Sequence, residues 1–206
     1  MPTFKNYLSL VKFSHTIFAM PFALIGFVLA ARPLFFQLYA DRYREYEISG
    51  AANRDVWFTL LLVILCMVFA RSAAMAFNRY LDRSFDAKNP RTAIREIPRG
   101  VISANHALLF TIACCLLFVA CCYLLNTAVL ALSPVALFVI LFYSYTKRFT
   151  SLCHLVLGLG LSLAPIGAYL AVTAHFDLLP ILFSFTVLFW VSGFDIIYSL
   201  QDEEFD

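Results

Sequence analysis

Six long apolar segments constrain this chain more than any other feature of its sequence. They cover residues 13–31, 56–77, 107–125, 127–145, 152–173 and 178–200. Each is long enough to cross about 30 Å of hydrocarbon as an α-helix. The chain is 62% hydrophobic and 14% charged, which is not the composition of a soluble globular protein. Because lipid offers no partners to backbone polar groups, we predict an all-α, polytopic transmembrane helical bundle of about six helices. The links are mostly short, so residues 1–206 are expected to form a single domain.

The basic residues are distributed unevenly among the links. Lys5 and Lys12 precede the first segment, seven basic residues accompany the link between the second and third, and Lys147 and Arg148 follow the fourth. The links after the third and fifth segments contain none. The positive-inside rule therefore places the N-terminus and the exits of the second, fourth and sixth segments on the cytoplasmic side. Residues 32–54 carry four arginines on the opposite side, and we interpret them as an amphipathic surface piece or loop.

A dense polar stretch, residues 76–100, begins while the second helix is still turning. Asn78, Asp82 and Asp86 fall at i, i+4 and i+8, which places them on one helical face. Carboxylates near the hydrocarbon boundary are costly and are functional candidates by default. A hard divalent cation such as Mg²⁺ takes carboxylate oxygens and completes its shell with water and substrate phosphates. We call these three residues the first acidic row and interpret them as metal ligands.

A second acidic row, formed by Asp195, Asp202 and Asp206, begins near the end of the sixth segment and continues beyond it. Tyr198 lies on the same helical face. Either row alone could be a solvated helix end. Two rows on one side of the membrane favour a shared metal site. The six cysteines all lie inside apolar segments, where we interpret them as packing residues rather than as a disulfide or zinc site.

Basic residues accompany the first acidic row in the link 87–103. Arg91 and Arg95 are suited to bind the diphosphate oxygens whose charge a metal does not neutralise. Contact with lipid head groups would also explain the positive charges of this link. Tyr143 and Lys147 share a face at the end of the fourth segment. Lys12 either reaches the lipid head groups or binds an anionic substrate. His15 and His154 are interpreted as structural residues.

Together these features predict a substrate with a diphosphate head and a hydrocarbon tail. Aromatic residues make up 17% of the chain, and some of them could line a cavity for the tail and stabilise a developing carbocation. Metal-assisted departure of the diphosphate would then leave an allylic cation for an electron-rich acceptor.

At these residues the chain resembles the UbiA family of intramembrane aromatic prenyltransferases. The family motif NxxxDxxxD is matched by Asn78, Asp82 and Asp86, DxxxxxxDxxxD by Asp195, Asp202 and Asp206, and YxxxK by Tyr143 and Lys147. The segments HTIFAMPFAL and APIGAY resemble the branch that contains 4-hydroxybenzoate polyprenyltransferase and its menaquinone-pathway relatives.

The resemblance implies an enzyme, an aromatic polyprenyltransferase that transfers a polyprenyl group from polyprenyl diphosphate to a small aromatic acid such as 4-hydroxybenzoate. It implies Mg²⁺ as cofactor, a role in ubiquinone or menaquinone biosynthesis, and a bilayer location in a prokaryotic inner or plasma membrane with a cytoplasmic active-site face. No nucleic-acid partner is expected.

The implied catalytic residues are Asp82, Asp202, Tyr198 and Lys147. The implied substrate-binding residues are Asn78, Lys12, Tyr143, Arg91 and Arg95, and both acidic rows would bind metal.

Two departures from the family pattern are visible. Arg79 stands where many members carry an acidic residue. The family has about nine transmembrane helices, so we expect this six-helix chain to be incomplete at its C-terminus.

Two alternatives from other classes stay open: an ion-coupled membrane transporter that uses the carboxylates, and a non-catalytic membrane fragment.

Overall fold

The structure, a computed structural model, describes residues 3–41 and 51–200, and all regular structure in these ranges is helical. Seven helices follow one another: α1 (Phe4–Leu10), α2 (Phe13–Asp41), α3 (Ala51–Asp86), α4 (Ala104–Leu125), α5 (Thr127–Thr146), α6 (Cys153–Thr173) and α7 (Leu178–Ser199). The predicted all-α helical bundle is confirmed.

Five helices among the described residues are long and apolar enough to cross a membrane. They are Val56–Asp86, Ala104–Leu125, Thr127–Thr146, Cys153–Thr173 and Leu178–Ser199. The sixth predicted span lies within α2, whose described apolar part is Ala19–Arg32. The chain is therefore built as an integral membrane protein.

The link expected over residues 32–54 is shorter than the sequence suggested. Helix α2 continues to Asp41 and α3 already begins at Ala51, while residues 42–50 lie outside the described ranges. The loop alternative is wrong for residues 32–41 and 51–54, because hydropathy marks only where a helix leaves the hydrocarbon. A helix can continue beyond that point, since polar residues are tolerated where it projects into water.

Close approaches between helices fix the bundle. A Cβ atom at Gly26 of α2 would lie 2.0 Å from the carbonyl oxygen of Pro165 in α6. A Cβ atom at Gly158 of α6 would lie 2.5 Å from the carbonyl oxygen of Leu188 in α7. Helix α6 is therefore held tightly between α2 and α7. Small residues play the same role in α3, where Ala73 and Ala76 are fully buried.

Different contacts fasten the two ends of the bundle. At one end, Asn126 caps α5 through Val129 N–H at 2.9 Å and donates to the Leu170 carbonyl of α6 at 2.8 Å. At the other end, the link between α3 and α4 folds back, and Ile102 is buried against Ala76. This second end carries the C-termini of α3, α5 and α7, and we call it the site end.

Candidate functional site

The first acidic row lies at the C-terminus of α3, on the face that packs into the bundle. Asp82 and Asp86 are only 7% and 6% exposed. The helix ends at Asp86 because Pro90 follows one turn later. The hydroxyl of Thr92 donates to the Asp86 carbonyl oxygen at 3.0 Å and so satisfies one of the last helical acceptors.

Asp82 is surrounded by cationic and amide groups. Lys147 forms an ion pair with its Oδ2 atom, and Arg148 lies 3.5 Å from its Oδ1 atom. With its amide oriented to satisfy both neighbours, Asn78 donates to Asp82 at 3.2 Å and accepts from Lys147 at 3.0 Å. The structure thus brings together the sequence-predicted residues Asn78, Asp82 and Lys147 from two helices.

Asp86 has one satisfied and one unsatisfied oxygen. Arg95 donates to Oδ1 at 2.7 Å. The Oδ2 atom is buried and has no hydrogen-bond partner among the described residues. A buried carboxylate oxygen without a partner is costly, and its chemistry suits a hard divalent cation.

The second acidic row is described only at its beginning. The Oδ2 atom of Asp195 lies 2.7 Å from the Nδ1 atom of His154, which belongs to the first turn of α6. Tyr198 follows one turn later and is 49% exposed. Asp202 and Asp206 lie outside the described residues, so their predicted role stays a prediction.

Tyr143 and Cys153 lie at the same end of the bundle as the described carboxylates. The partly buried phenol of Tyr143 lies within electrostatic range of both Asp82 and Asp195. Cys153 lies within the same range of Asp195 and Lys147. Carboxylates near the C-termini of α3 and α7 therefore lie at the same end of the bundle. Within residues 3–41 and 51–200, no three His, Cys, Asp or Glu residues cluster tightly enough to hold a metal ion by themselves.

A cationic cluster borders the first acidic row, formed by Lys12, Arg79, Arg91 and Arg95. Lys12 joins α1 to α2 with a φ of 44°, in the left-handed region that L residues rarely adopt. Desolvation, followed by the neighbouring charges of Arg79, Arg95 and Arg91, lowers the pKa of Lys12, whereas Glu96 opposes the shift. Such an excess of positive charge favours an anionic ligand.

Arg79 connects α3 to the link that follows it. It is 5% exposed and forms an ion pair with Glu96 of the α3–α4 link. The other carboxylate oxygen of Glu96 accepts a hydrogen bond from Ser9 of α1. Arg79 therefore fastens the link and α1 to α3, next to the acidic row but outside it.

Two residues near the site were not among the predicted site residues. His154, which we had interpreted as structural, contacts Asp195 directly. Arg71 lies within electrostatic range of Tyr143, and its Nε atom is buried without a partner among the described residues. Its spacing of seven residues from Asn78 places it on the same face of α3, a signal that the sequence did contain. The side chain of His15 lies outside the described part.

Comparison with known proteins identifies relatives of this chain. Residues 19–206 match the sequence model of a family described as the UbiA prenyltransferase family. A 4-hydroxybenzoate octaprenyltransferase of Tolumonas auensis is 36% identical over 150 residues, which cover 72% of this chain and 52% of that protein. A protein of the same name from Paraburkholderia phytofirmans is 34% identical over 154 residues, covering 75% and 54%. The chain thus spans about half the length of these curated relatives.

Solved structures share the fold. The apo structure of a UbiA homolog from Aeropyrum pernix K1 is 34% identical, with a TM-score of 0.71, covering 92% of this chain and 64% of that one. A UbiA homolog from Archaeoglobus fulgidus, solved with GPP and Mg²⁺ bound, is 20% identical, with a TM-score of 0.69, covering 98% and 65%. At that identity the second likeness is one of fold alone.

Proposed function

Because the chain belongs to the UbiA prenyltransferase family, we propose that it catalyses Mg²⁺-dependent transfer of a polyprenyl group from a polyprenyl diphosphate to a small aromatic acid. The acceptor we propose is 4-hydroxybenzoate or a related acid of ubiquinone or menaquinone biosynthesis, which agrees with the names of the relatives. The reaction would take place at the cytoplasmic face of a prokaryotic inner or plasma membrane. The observation that carries the proposal is the buried pair of carboxylates on α3: Asp82 forms an ion pair with Lys147, and Asp86 holds a buried oxygen that no described residue satisfies.

The oxygen donors at the site end fit a divalent cation. Asp86 offers a buried oxygen that no described residue satisfies, and Asn78 and Asp82 lie beside it on α3. The residues that would hold the cation are Asn78, Asp82, Asp86, Asp195, Asp202 and Asp206. When bound there, Mg²⁺ would supply positive charge to the diphosphate oxygens as they become a leaving group.

Cationic side chains from other parts of the chain pair with the described carboxylates. Lys147 pairs with Asp82, and Arg95 pairs with Asp86. Both cations have long side chains that can move to a new partner. A diphosphate would attract their N–H groups, while the cation would take over the carboxylates. We therefore assign Lys147 and Arg95 to the diphosphate, together with Lys12 and Arg91 of the cationic cluster.

The acceptor needs a cation for its carboxylate and a place beside the prenyl group. Arg71 lies two turns, or about 10 Å, deeper along α3 than Asn78. Its planar guanidinium can hold a carboxylate through two parallel hydrogen bonds. We propose Arg71 as the anchor of the aromatic acid, with Lys12 as the alternative at the membrane surface. Tyr143, between the acidic rows, and Tyr198 are proposed to contact the reacting groups.

The transporter alternative makes a different demand on the structure. An ion pathway requires polar ligands along the depth of the bundle. The carboxylates Asp82, Asp86 and Asp195 instead lie together at one end. The geometry therefore favours chemistry on an anionic head group over ion transport.

The test is Mg²⁺-dependent formation of prenylated 4-hydroxybenzoate by the purified 206-residue chain in detergent. We expect Asp82→Ala and Asp202→Ala each to reduce product formation at least 100-fold. Asp177→Ala is the matched control, because Asp177 lies at the opposite end of the bundle, before α7. Equal activity in Asp82→Ala and the control would refute the proposed site.

A further inference from the structure

His154 and Asp195 form a short contact between α6 and α7. The Nδ1 atom of His154 lies 2.7 Å from the Oδ2 atom of Asp195. Both side chains are partly buried, each 22% exposed. A carboxylate has no hydrogen to donate, so the ring nitrogen is the donor and the imidazole carries its proton on Nδ1.

The close packing of α6 on α7 determines where this contact lies. A Cβ atom at Gly158 would meet the Ser192 hydroxyl oxygen at 2.2 Å, so the two helices approach closely at this point. His154 stands one turn before Gly158, and Asp195 stands one turn after Ser192 on the antiparallel neighbour. The imidazole and the carboxylate are therefore brought together by the register of the two helix backbones.

His154 differs from the other bases that contact the acidic rows. Lys147 and Arg95 reach their carboxylates through long, flexible side chains, which can follow an incoming phosphate. The imidazole of His154 is joined to its helix by only two rotatable bonds, so it cannot move far from Asp195. Its geometry suits holding a carboxylate in place better than binding the substrate itself.

We propose that His154 is a positioning residue for Asp195. Its Nδ1–H group holds Oδ2 and so leaves Oδ1 available to the cation that would bind the diphosphate. This inference rests on the proposed function. Hydrogen bonds from outer residues to ligating groups orient those groups and raise metal affinity, and their loss weakens binding about 10- to 100-fold.

The test is Mn²⁺ binding, measured by the electron paramagnetic resonance signal of free Mn²⁺ with geranyl diphosphate present and no acceptor. His154→Leu keeps volume but removes the donor, and we expect its Kd for Mn²⁺ to rise at least tenfold. His154→Asn places an amide N–H near the position of Nδ1, and its Kd should stay within about threefold of the wild type. The Mg²⁺ concentration for half-maximal activity should shift in parallel, with kcat at saturating Mg²⁺ nearly unchanged.

His175→Ala is the matched control, because His175 lies 3.4 Å from Asp177 at the opposite end of the same two helices. Its Mn²⁺ affinity should equal that of the wild type. If the folded His154→Leu protein binds Mn²⁺ as tightly as the wild type, or if His154→Asn is as weak as His154→Leu, the positioning role is overturned. If the wild type itself binds no Mn²⁺ with geranyl diphosphate, the proposed function fails and this role fails with it.

Discussion

Replacing Gly158 by alanine tests the packing that supports the second acidic row. The added methyl group would lie 2.2 Å from the Ser192 hydroxyl and 2.5 Å from the Leu188 carbonyl, whereas ordinary contact begins near 3.4 Å. The Ser192 side chain can rotate, but the backbone carbonyl cannot. Helix α7 must therefore move by about 1 Å, a shift sufficient to break the 2.7 Å bond between His154 and Asp195.

The expected cost follows from the severity of this clash. Overpacking a well-packed interior costs about 1–3 kcal/mol, and contact with a backbone atom places this substitution near 3 kcal/mol. For a chain of this size that corresponds to a Tm lower by roughly 6–12 °C. The assay is thermal unfolding in detergent, followed by Mn²⁺ binding at a temperature at which the variant is folded. We expect weaker Mn²⁺ binding as well as a lower Tm.

Two glycines on the same helix provide matched controls. A Cβ atom at Gly160 would come no closer than 3.9 Å to Ile140, and one at Gly167 would meet nothing within 4 Å. Both alanine variants gain the same helix propensity as Gly158→Ala without the clash. Their Tm should equal or exceed that of the wild type. A Gly158→Ala protein as stable as Gly167→Ala would refute the reasoning.

Three further substitutions probe the site end. Lys147→Met should cost only about 1 kcal/mol of stability, because Lys147 is partly exposed and the buried Asp82 keeps Arg148 and Asn78 as partners. It should nevertheless lower kcat/KM at least 30-fold; unchanged kcat/KM would contradict a diphosphate contact. The fold lowers the pKa of Lys12 from its ordinary 10.5, so the charged side chain destabilises the folded protein at neutral pH. Between the lowered pKa and 10.5 the unfolded chain binds more protons than the folded protein, and stability therefore rises with pH in this window. Lys12→Met should therefore raise Tm near pH 7, and the gain should shrink towards pH 10.5. The same variant should have a higher KM for the diphosphate. An unchanged Tm would argue against a destabilising charge at Lys12. Glu96→Gln removes the carboxylate that pairs with the buried Arg79 and should cost about 3 kcal/mol in thermal unfolding. Wild-type stability would show that this pair does not fasten the link.

The sequence predicts those parts of the site that depend on a single helix. Asn78, Asp82 and Asp86 share a face because the helical repeat fixes the angles between them, whatever surrounds the helix. The uneven basic residues also predict which helix ends meet, and the contact of Lys147 with Asp82 agrees with that prediction. The all-α bundle follows from segment length and apolarity alone, since lipid permits few other structures.

Contacts between helices could not be predicted in this way. Whether His154 reaches Asp195 depends on how closely α6 approaches α7, and that distance is set by Gly158 and its neighbours. A single histidine at the start of an apolar helix is not part of a local sequence pattern from which its contact partner could be predicted. The role of Arg79 was hidden for the same reason, because Glu96 is brought to it only when the α3–α4 link folds back.

We propose that carboxylates from α3 and α7 together hold the cation that binds the diphosphate. The most direct measurement is anomalous diffraction from crystals of the protein grown with Mn²⁺ and a non-cleavable thio analogue of geranyl diphosphate. We expect an anomalous peak between Asp82 and Asp195, within about 2.5 Å of carboxylate oxygens from both helices. A peak bound to one helix alone, or one away from both aspartates, would contradict it.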